Sequence, residues 1–172
     1  MKSCDIDWLV EQYSDSVYRY CKSLAYTLED AEDLYQQTFL KAFEMRKKIS
    51  IDKNPKAYLL SIATNIWKNQ KSKYARRERI APTISSDLEG VQIESAQGDG
   101  DVLEQIVKEE QFEKLRNCVD NLPEKQRQVI TLFYAGELSL EEIAKILKIP
   151  KGTVKSRLHT AKEQLRKEME EE

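Results

Sequence analysis

Only five glycines and four prolines punctuate the 172 residues of the chain, and this scarcity limits what it can fold into. Sandwiches and barrels need a tight turn roughly every 8–12 residues, and turns draw on those two residue types. Helices joined by short loops do not. The expected fold class is therefore all-α, arranged as two small helical domains (residues 1–80 and 105–172) joined by a flexible acidic linker (residues 81–104).

The apolar spacing supports this. Ile6, Val10, Tyr13, Val17, Tyr20 and Leu24 advance by alternating steps of four and three, one stripe of a helix. Thr27 is placed to cap a second helix, whose first turns hold Glu29, Asp30, Glu32 and Asp33, where the helix dipole favours negative charge. Its apolar line is Ala31, Leu34, Thr38 and Ala42, with Phe39 and Phe43 alongside. A polar stretch, 49–53, precedes Asn54-Pro55, a helix-start pair. The third helix buries Leu59, Ile62, Ala63 and Ile66.

Periodicity fades between Ala81 and Glu104, where Pro82, Ser85, Ser86, Gly90, Ser95, Gly98 and Gly100 interleave with acids. Two readings are open: a linker, or a long surface loop within one domain, which compact domains seldom carry. Charge divides along the same lines. Residues 1–80 carry a net +4, residues 81–110 a net -7 and residues 111–172 a net +1. The overall -2 thus conceals a basic end to the first segment, and local charge governs contact with phosphates.

Helical pattern resumes at about residue 104 and runs to about 120, near Leu122-Pro123. The next helix buries Val129, Ile130, Leu132 and Phe133, with Gly136 as its C-cap. Ser139-Leu-Glu-Glu142 is a capping box opening a short helix through Leu147. After Ile149-Pro150, a last helix starts at Gly152-Thr153 and buries Val154, Leu158, Ala161 and Leu165. Two short helices joined by residues 148–151 form a helix-turn-helix pattern. Opposite the buried line stand Lys155, Ser156, His159, Thr160 and Lys162, with Arg157 beside them and Lys151 and Thr153 at the start. Such side chains can bond base edges and phosphates in a major groove. The plain alternative is a solvated charged face.

The third helix offers a second surface. Tyr58, Ser61, Asn65, Lys68, Asn69 and Ser72 share a face, and Lys71, Lys73, Arg76, Arg77 and Arg79 follow, with Tyr58, Trp67 and Tyr74 interleaved. Rings stack on unpaired bases while cations hold the backbone. For Trp67, core packing is the equal alternative. The second helix carries an acidic, amide-rich face of Asp30, Glu32, Asp33, Gln36 and Gln37 beside Tyr35 and Phe39. It would repel DNA, and is either an ordinary solvated surface or a site for a helical protein partner.

Cys4, Cys21 and Cys118 are odd in number and far apart, which speaks against a disulfide framework or a zinc site. No run approaches the ~20 apolar residues of a membrane span. The first residues lack the apolar core of a signal peptide. A reducing, cytoplasmic setting is expected. No Gly-rich phosphate loop or catalytic triad is visible, so neither an enzyme, a cofactor nor a small-molecule substrate is expected.

Three blocks in order resemble the extracytoplasmic-function (group 4) sigma factors of the sigma-70 family. Asp30-Ala-Glu-Asp-Leu-Tyr-Gln-Gln-Thr-Phe-Leu-Lys-Ala-Phe43 looks like region 2.2. Tyr58-Leu-Leu-Ser-Ile-Ala-Thr-Asn65 with Lys68-Asn69 looks like regions 2.3 and 2.4. Leu122-Pro-Glu-Lys-Gln-Arg127, Leu138-Ser-Leu-Glu-Glu-Ile-Ala144 and the run from Ile149 to His159 look like region 4. The resemblance implies an alternative sigma factor that directs promoter-specific initiation by core RNA polymerase in a stress or envelope response. By implication, Asp30, Asp33, Gln36, Gln37 and Phe39 dock on the beta-prime coiled coil, and region 4 meets the beta flap. Tyr58, Ser61, Asn65, Lys68, Asn69, Lys71, Lys73, Arg76 and Arg77 take the minus-ten element as it opens. Lys151, Thr153, Lys155, Ser156, Arg157, His159, Thr160 and Lys162 read the minus-thirty-five duplex. An anti-sigma factor, in some cases membrane-bound, is a further implied partner; no membrane contact of the chain's own is. Tyr58 stands where the family often has Trp, Asn69 where an acid is common, and Thr160 where Arg is frequent, which bears on promoter preference. A conventional helix-turn-helix regulator or an interaction adaptor remains the alternative.

Overall fold

Asn54 and Thr27 show how local chemistry starts the helices of this chain. The Thr27 hydroxyl accepts from the Asp30 backbone N–H at 3.1 Å, and the Asn54 side-chain oxygen accepts from that of Ala57 at 3.2 Å. Each satisfies an amide that the first helical turn leaves without a partner. The computed structural model describes residues 5–50, 53–80 and 102–171, without the side chains of residues 74, 77–80 and 102–107. These form α1 (Ile6–Leu24), α2 (Leu28–Glu44), a 3-10 turn (Arg46–Lys48), α3 (Pro55–Ile80), α4 (Val102–Asn121), α5 (Glu124–Tyr134), α6 (Leu140–Leu147) and α7 (Lys151–Glu170). Among the described residues there is no strand, and no helix is long and apolar enough to cross a membrane.

The first module packs α1, α2 and α3 against one another, and the second gathers α4, α5 and α6 around α7. The first core holds Leu9, Val17, Tyr20, Leu24, Leu34, Ala42, Leu59 and Ala63. A buried polar pair within it, Tyr20 Oη to Thr64 Oγ1 at 2.7 Å, leaves neither hydroxyl unsatisfied. The second core holds Val129, Leu132, Ile143, Val154, Leu158 and Ala161. Ser139 and Glu142 form the reciprocal capping box at the start of α6. Lys148 adopts the left-handed conformation at its end (φ 55°), turning the chain into α7.

The two modules also pack on each other, α5 against α1 and α6 against α3. This joins the two cores into one cluster. Leu60, off the expected stripe of α3, is buried, Trp67 takes the core alternative left open for it, and Ile66 is only partly buried. Ile49, counted as polar-stretch, is also in the core. Phe43 is half exposed, and Phe133 is only partly buried.

Gly136 is not a left-handed cap. Its N–H donates to Thr131 O at 3.1 Å, while the positive φ falls on Glu137 (53°). A glycine is needed here because a Cβ would stand 2.5 Å from Leu132 O. Helix α7 begins at Lys151 rather than Gly152, and α4 at Val102, inside the expected linker. Residues 81–101 of that linker lie outside the described residues.

Candidate nucleic-acid and polymerase interfaces

Burial of Val154, Leu158 and Ala161 forces the opposite side of α7 outward. Lys155, Ser156, His159, Thr160 and Lys162 are all exposed there, with Arg157 and Thr153 partly buried. Two of the cations already have partners. Lys162 Nζ lies 5.4 Å from the Phe133 ring centroid and 5.6 Å from that of Tyr134, a contact that fixes its direction without using its charge up. Lys151 pairs with Glu141 of α6, and this hydrogen bond holds the Glu141 carboxyl below its ordinary range. Thr160 Oγ1 donates to Ser156 O at 3.0 Å, so its oxygen remains free to accept. Gly152 is exposed in the first turn, with open space where a Cβ would be. The Thr153 and Val154 amides donate to Pro150 O at 3.0 and 3.2 Å.

The expected minus-ten residues divide into two sets. Asn65, Asn69, Lys73 and Arg76 are exposed on α3; the side chain of Arg77 lies outside the described residues, as does that of Tyr74. Tyr58, Ser61, Lys68 and Lys71 are instead involved with the second module. Tyr58 and Ser61 line a cleft with Lys53, Asn54 and Ala57 on one side and Glu142, Lys145 and Ile146 of α6 on the other. Lys68 Nζ donates to Leu147 O at 3.4 Å, and Lys71 pairs with Glu124. Burial opposes the charge on Lys71, but the hydrogen bond and charge of Glu124 prevail and raise its pKa. Trp67 is 4 % exposed and tilted against the Tyr26 ring at 5.3 Å. It is a core residue with no face left for a base.

On α2, Asp33, Gln36 and Gln37 are exposed and Asp30 is partly buried. Phe39 departs from the expectation that grouped it with them. Its ring is 9 % exposed and meets Tyr35 edge-on at 5.0 Å, because position 39 falls on the side of the helix turned to the core. The apolar residues beside the acidic-amide face are Leu40, 65 % exposed, and Phe43, 51 % exposed. The Arg46 guanidinium lies 4.5 Å from the Phe43 centroid. The sequence reading sets Phe43 beside the core line and gives Leu40 no role, although a second apolar pair on a helix that already has its core line was a signal for this surface. An apolar pair rimmed by carboxylates and amides suits a protein helix better than a phosphate backbone.

Comparison with known proteins bears on these surfaces. Residues 9–77 match the family model Sigma-70 region 2, and residues 112–165 match Sigma-70, region 4. The chain is 34 % identical to the ECF RNA polymerase sigma factor SigW of Bacillus subtilis over 94 % of its own length and 87 % of that protein. It belongs to the ECF sigma factors. SigM of the same organism is 30 % identical over 94 % of this chain and 93 % of its own. Among solved structures, the sigma factor RpoE of Bartonella quintana, in complex with the anti-sigma factor NepR, superposes with a TM-score of 0.76 at 25 % identity, covering 96 % of this chain and 97 % of that one. This ECF sigma factor is accordingly an initiation factor for promoter-specific transcription, and not an enzyme.

Proposed function

We propose that the chain divides the work of initiation between its modules. Residues 1–80 grip core polymerase and the melted minus-ten strand, residues 81–101 connect the modules, and residues 102–172, from the start of α4, hold the minus-thirty-five duplex. The outward face of α7 carries this reading: Lys155, Ser156, His159 and Thr160 are exposed together opposite the buried line of Val154, Leu158 and Ala161. Lys151, Thr153, Arg157 and Lys162 border that face and serve as phosphate contacts. Asn65, Lys68, Asn69, Lys71, Lys73, Arg76 and Arg77, with Tyr58 and Ser61, form the minus-ten surface. Asp30, Asp33, Gln36 and Gln37 dock the beta-prime coiled coil, with Leu40 and Phe43 as the apolar contact in place of Phe39. The second module takes the beta flap.

Control falls to an anti-sigma factor, a reading supported by the RpoE structure, which contains one. The chain works in the cytoplasm in a stress or envelope response, held near the membrane where that inhibitor is membrane-bound. Run-off transcription tests the core of the proposal. Purified core polymerase supplemented with this protein initiates at a defined start site, and a Leu40→Ser, Phe43→Ser double variant abolishes initiation while keeping the wild-type melting temperature. A chain that neither binds core polymerase nor confers a start site refutes it.

A further inference from the structure

Two lysines border the α7 face and are held in opposite ways. Lys151 is tied to Glu141, a carboxylate that offsets its charge. Lys162 makes no salt bridge among the described residues, and its neighbour Glu163 is taken by Arg166 at 2.9 Å. Lys162 Nζ sits instead 5.4 Å from the Phe133 ring centroid and 5.6 Å from that of Tyr134. The two rings stand edge to face, 5.0 Å apart with their planes at 84°. Phe133 packs against the core, which anchors the pair, while Tyr134 is 57 % exposed. A ring face holds an ammonium in place without neutralising it, and a phosphate contact draws on charge that is still uncancelled.

Position along α7 decides what this cation meets. Lys155, His159 and Lys162 follow the i, i+4, i+7 spacing of one helix row. Lys162 lies eleven residues beyond Lys151, where the helix starts, and so about 16 Å along the axis. A major groove is roughly 8.5 Å deep. With the first turns of α7 among the bases, Lys162 stands level with the sugar-phosphate backbone. We infer that Phe133 and Tyr134 form an aromatic platform that aims Lys162 at a phosphate flanking the minus-thirty-five element, which makes the end of α5 part of the duplex reader. The inference rests on the α7 face being that reader, as read above. Both rings act through Lys162, as positioning residues. A free lysine side chain spreads over many rotamers, and ordering it on DNA costs entropy. An exposed cation–π contact raises the weight of the aimed rotamers by about 2- to 5-fold, and apparent affinity rises with the competent fraction by at most that factor.

The test is fluorescence anisotropy of a mixed-sequence duplex of about 30 base pairs with the full chain at several salt concentrations, since backbone contacts need no promoter sequence. Lys162→Met weakens binding and lowers the slope of log affinity against log salt by about 0.9, the share of one phosphate. Phe133→Leu with Tyr134→Leu weakens binding by about 2- to 5-fold at the wild-type slope, because the charge is still there. Tyr134→Leu alone acts in the same direction and, on an exposed side chain, keeps the fold. Tyr134→Trp tightens binding, because an indole face attracts cations most strongly; a merely structural pair would give no such gain. All three ring effects vanish in the presence of Lys162→Met. Ring effects that persist alongside Lys162→Met, or ring variants that bind like wild type while Lys162→Met binds weakly, overturn the platform and leave the duplex reader standing. If neither Lys162→Met nor Lys155→Met changes binding, the role assigned to α7 falls, and the platform with it.

Discussion

Truncating Leu60 to alanine tests the packing of the two modules, because this side chain is completely buried and its Cδ1 would lie 3.1 Å from a Cβ built at Gly136 across the contact. Replacing a fully buried leucine by alanine costs about 2–5 kcal/mol, transfer and cavity combined. The site is closed on one side by Gly136, which has no side chain to move into the space. Collapse into the cavity is therefore limited, and a loss of about 3 kcal/mol is expected. With a urea slope of about 2 kcal/mol/M, that moves the unfolding midpoint down by about 1.5 M. Urea titration followed by far-ultraviolet circular dichroism reads the shift. Leu40→Ala, on a side chain 65 % exposed, serves as the control and should stay within about 0.5 kcal/mol. Leu59→Ala, inside the first module, should cost as much as Leu60→Ala. A Leu60→Ala shift no larger than the Leu40→Ala shift, with Leu59→Ala fully destabilising, would refute the reasoning: Leu60 would then face water in solution.

Two further outcomes follow from buried or shared polar groups. Tyr20→Phe removes one partner of the Tyr20–Thr64 pair but leaves the Thr64 hydroxyl donating to Leu60 O at 2.8 Å, so it should cost about 1 kcal/mol; Thr64→Val strands the buried phenol and should cost about 1–3 kcal/mol, as thermal unfolding will show. Glu142 is held below its ordinary value of 4.5: burial raises it, but hydrogen bonds with Ser139 and Asn54 outweigh that. Its folded pKa is depressed, so its contribution is complete above about pH 4.5 and is lost as pH falls through the lowered value. The melting-temperature gap between wild type and Glu142→Gln should accordingly be present at pH 7 and shrink below about pH 4.

Much of the fold was legible because helix starts are local. Thr27, Asn54 and the Ser139–Glu142 box each satisfy amides within three residues, and their side chains in the sequence announce it. The α7 face was legible for the same reason, since one buried line defines its opposite. What could not be read was non-local. Leu60 widens the apolar surface of α3 beyond Leu59, Ile62, Ala63 and Ile66, and nothing near it in sequence says that it will lie beside Gly136, far along the chain. Phe39 and Phe43 are four residues apart and share a nominal face, yet one is buried and the other half exposed, which spacing alone does not separate. Likewise, the engagement of Lys68 and Lys71 depends on groups more than fifty residues away, beyond any pattern of charge along α3.

Helix α6 has only eight residues, yet it supports α7 along one side and rests on α3 along another. Glu142 both closes the capping box with Ser139 and accepts from Asn54 before α3, so a substitution there must suit both. A substitution in α6 that disturbs its packing on α3 therefore acts within two turns of its packing on α7.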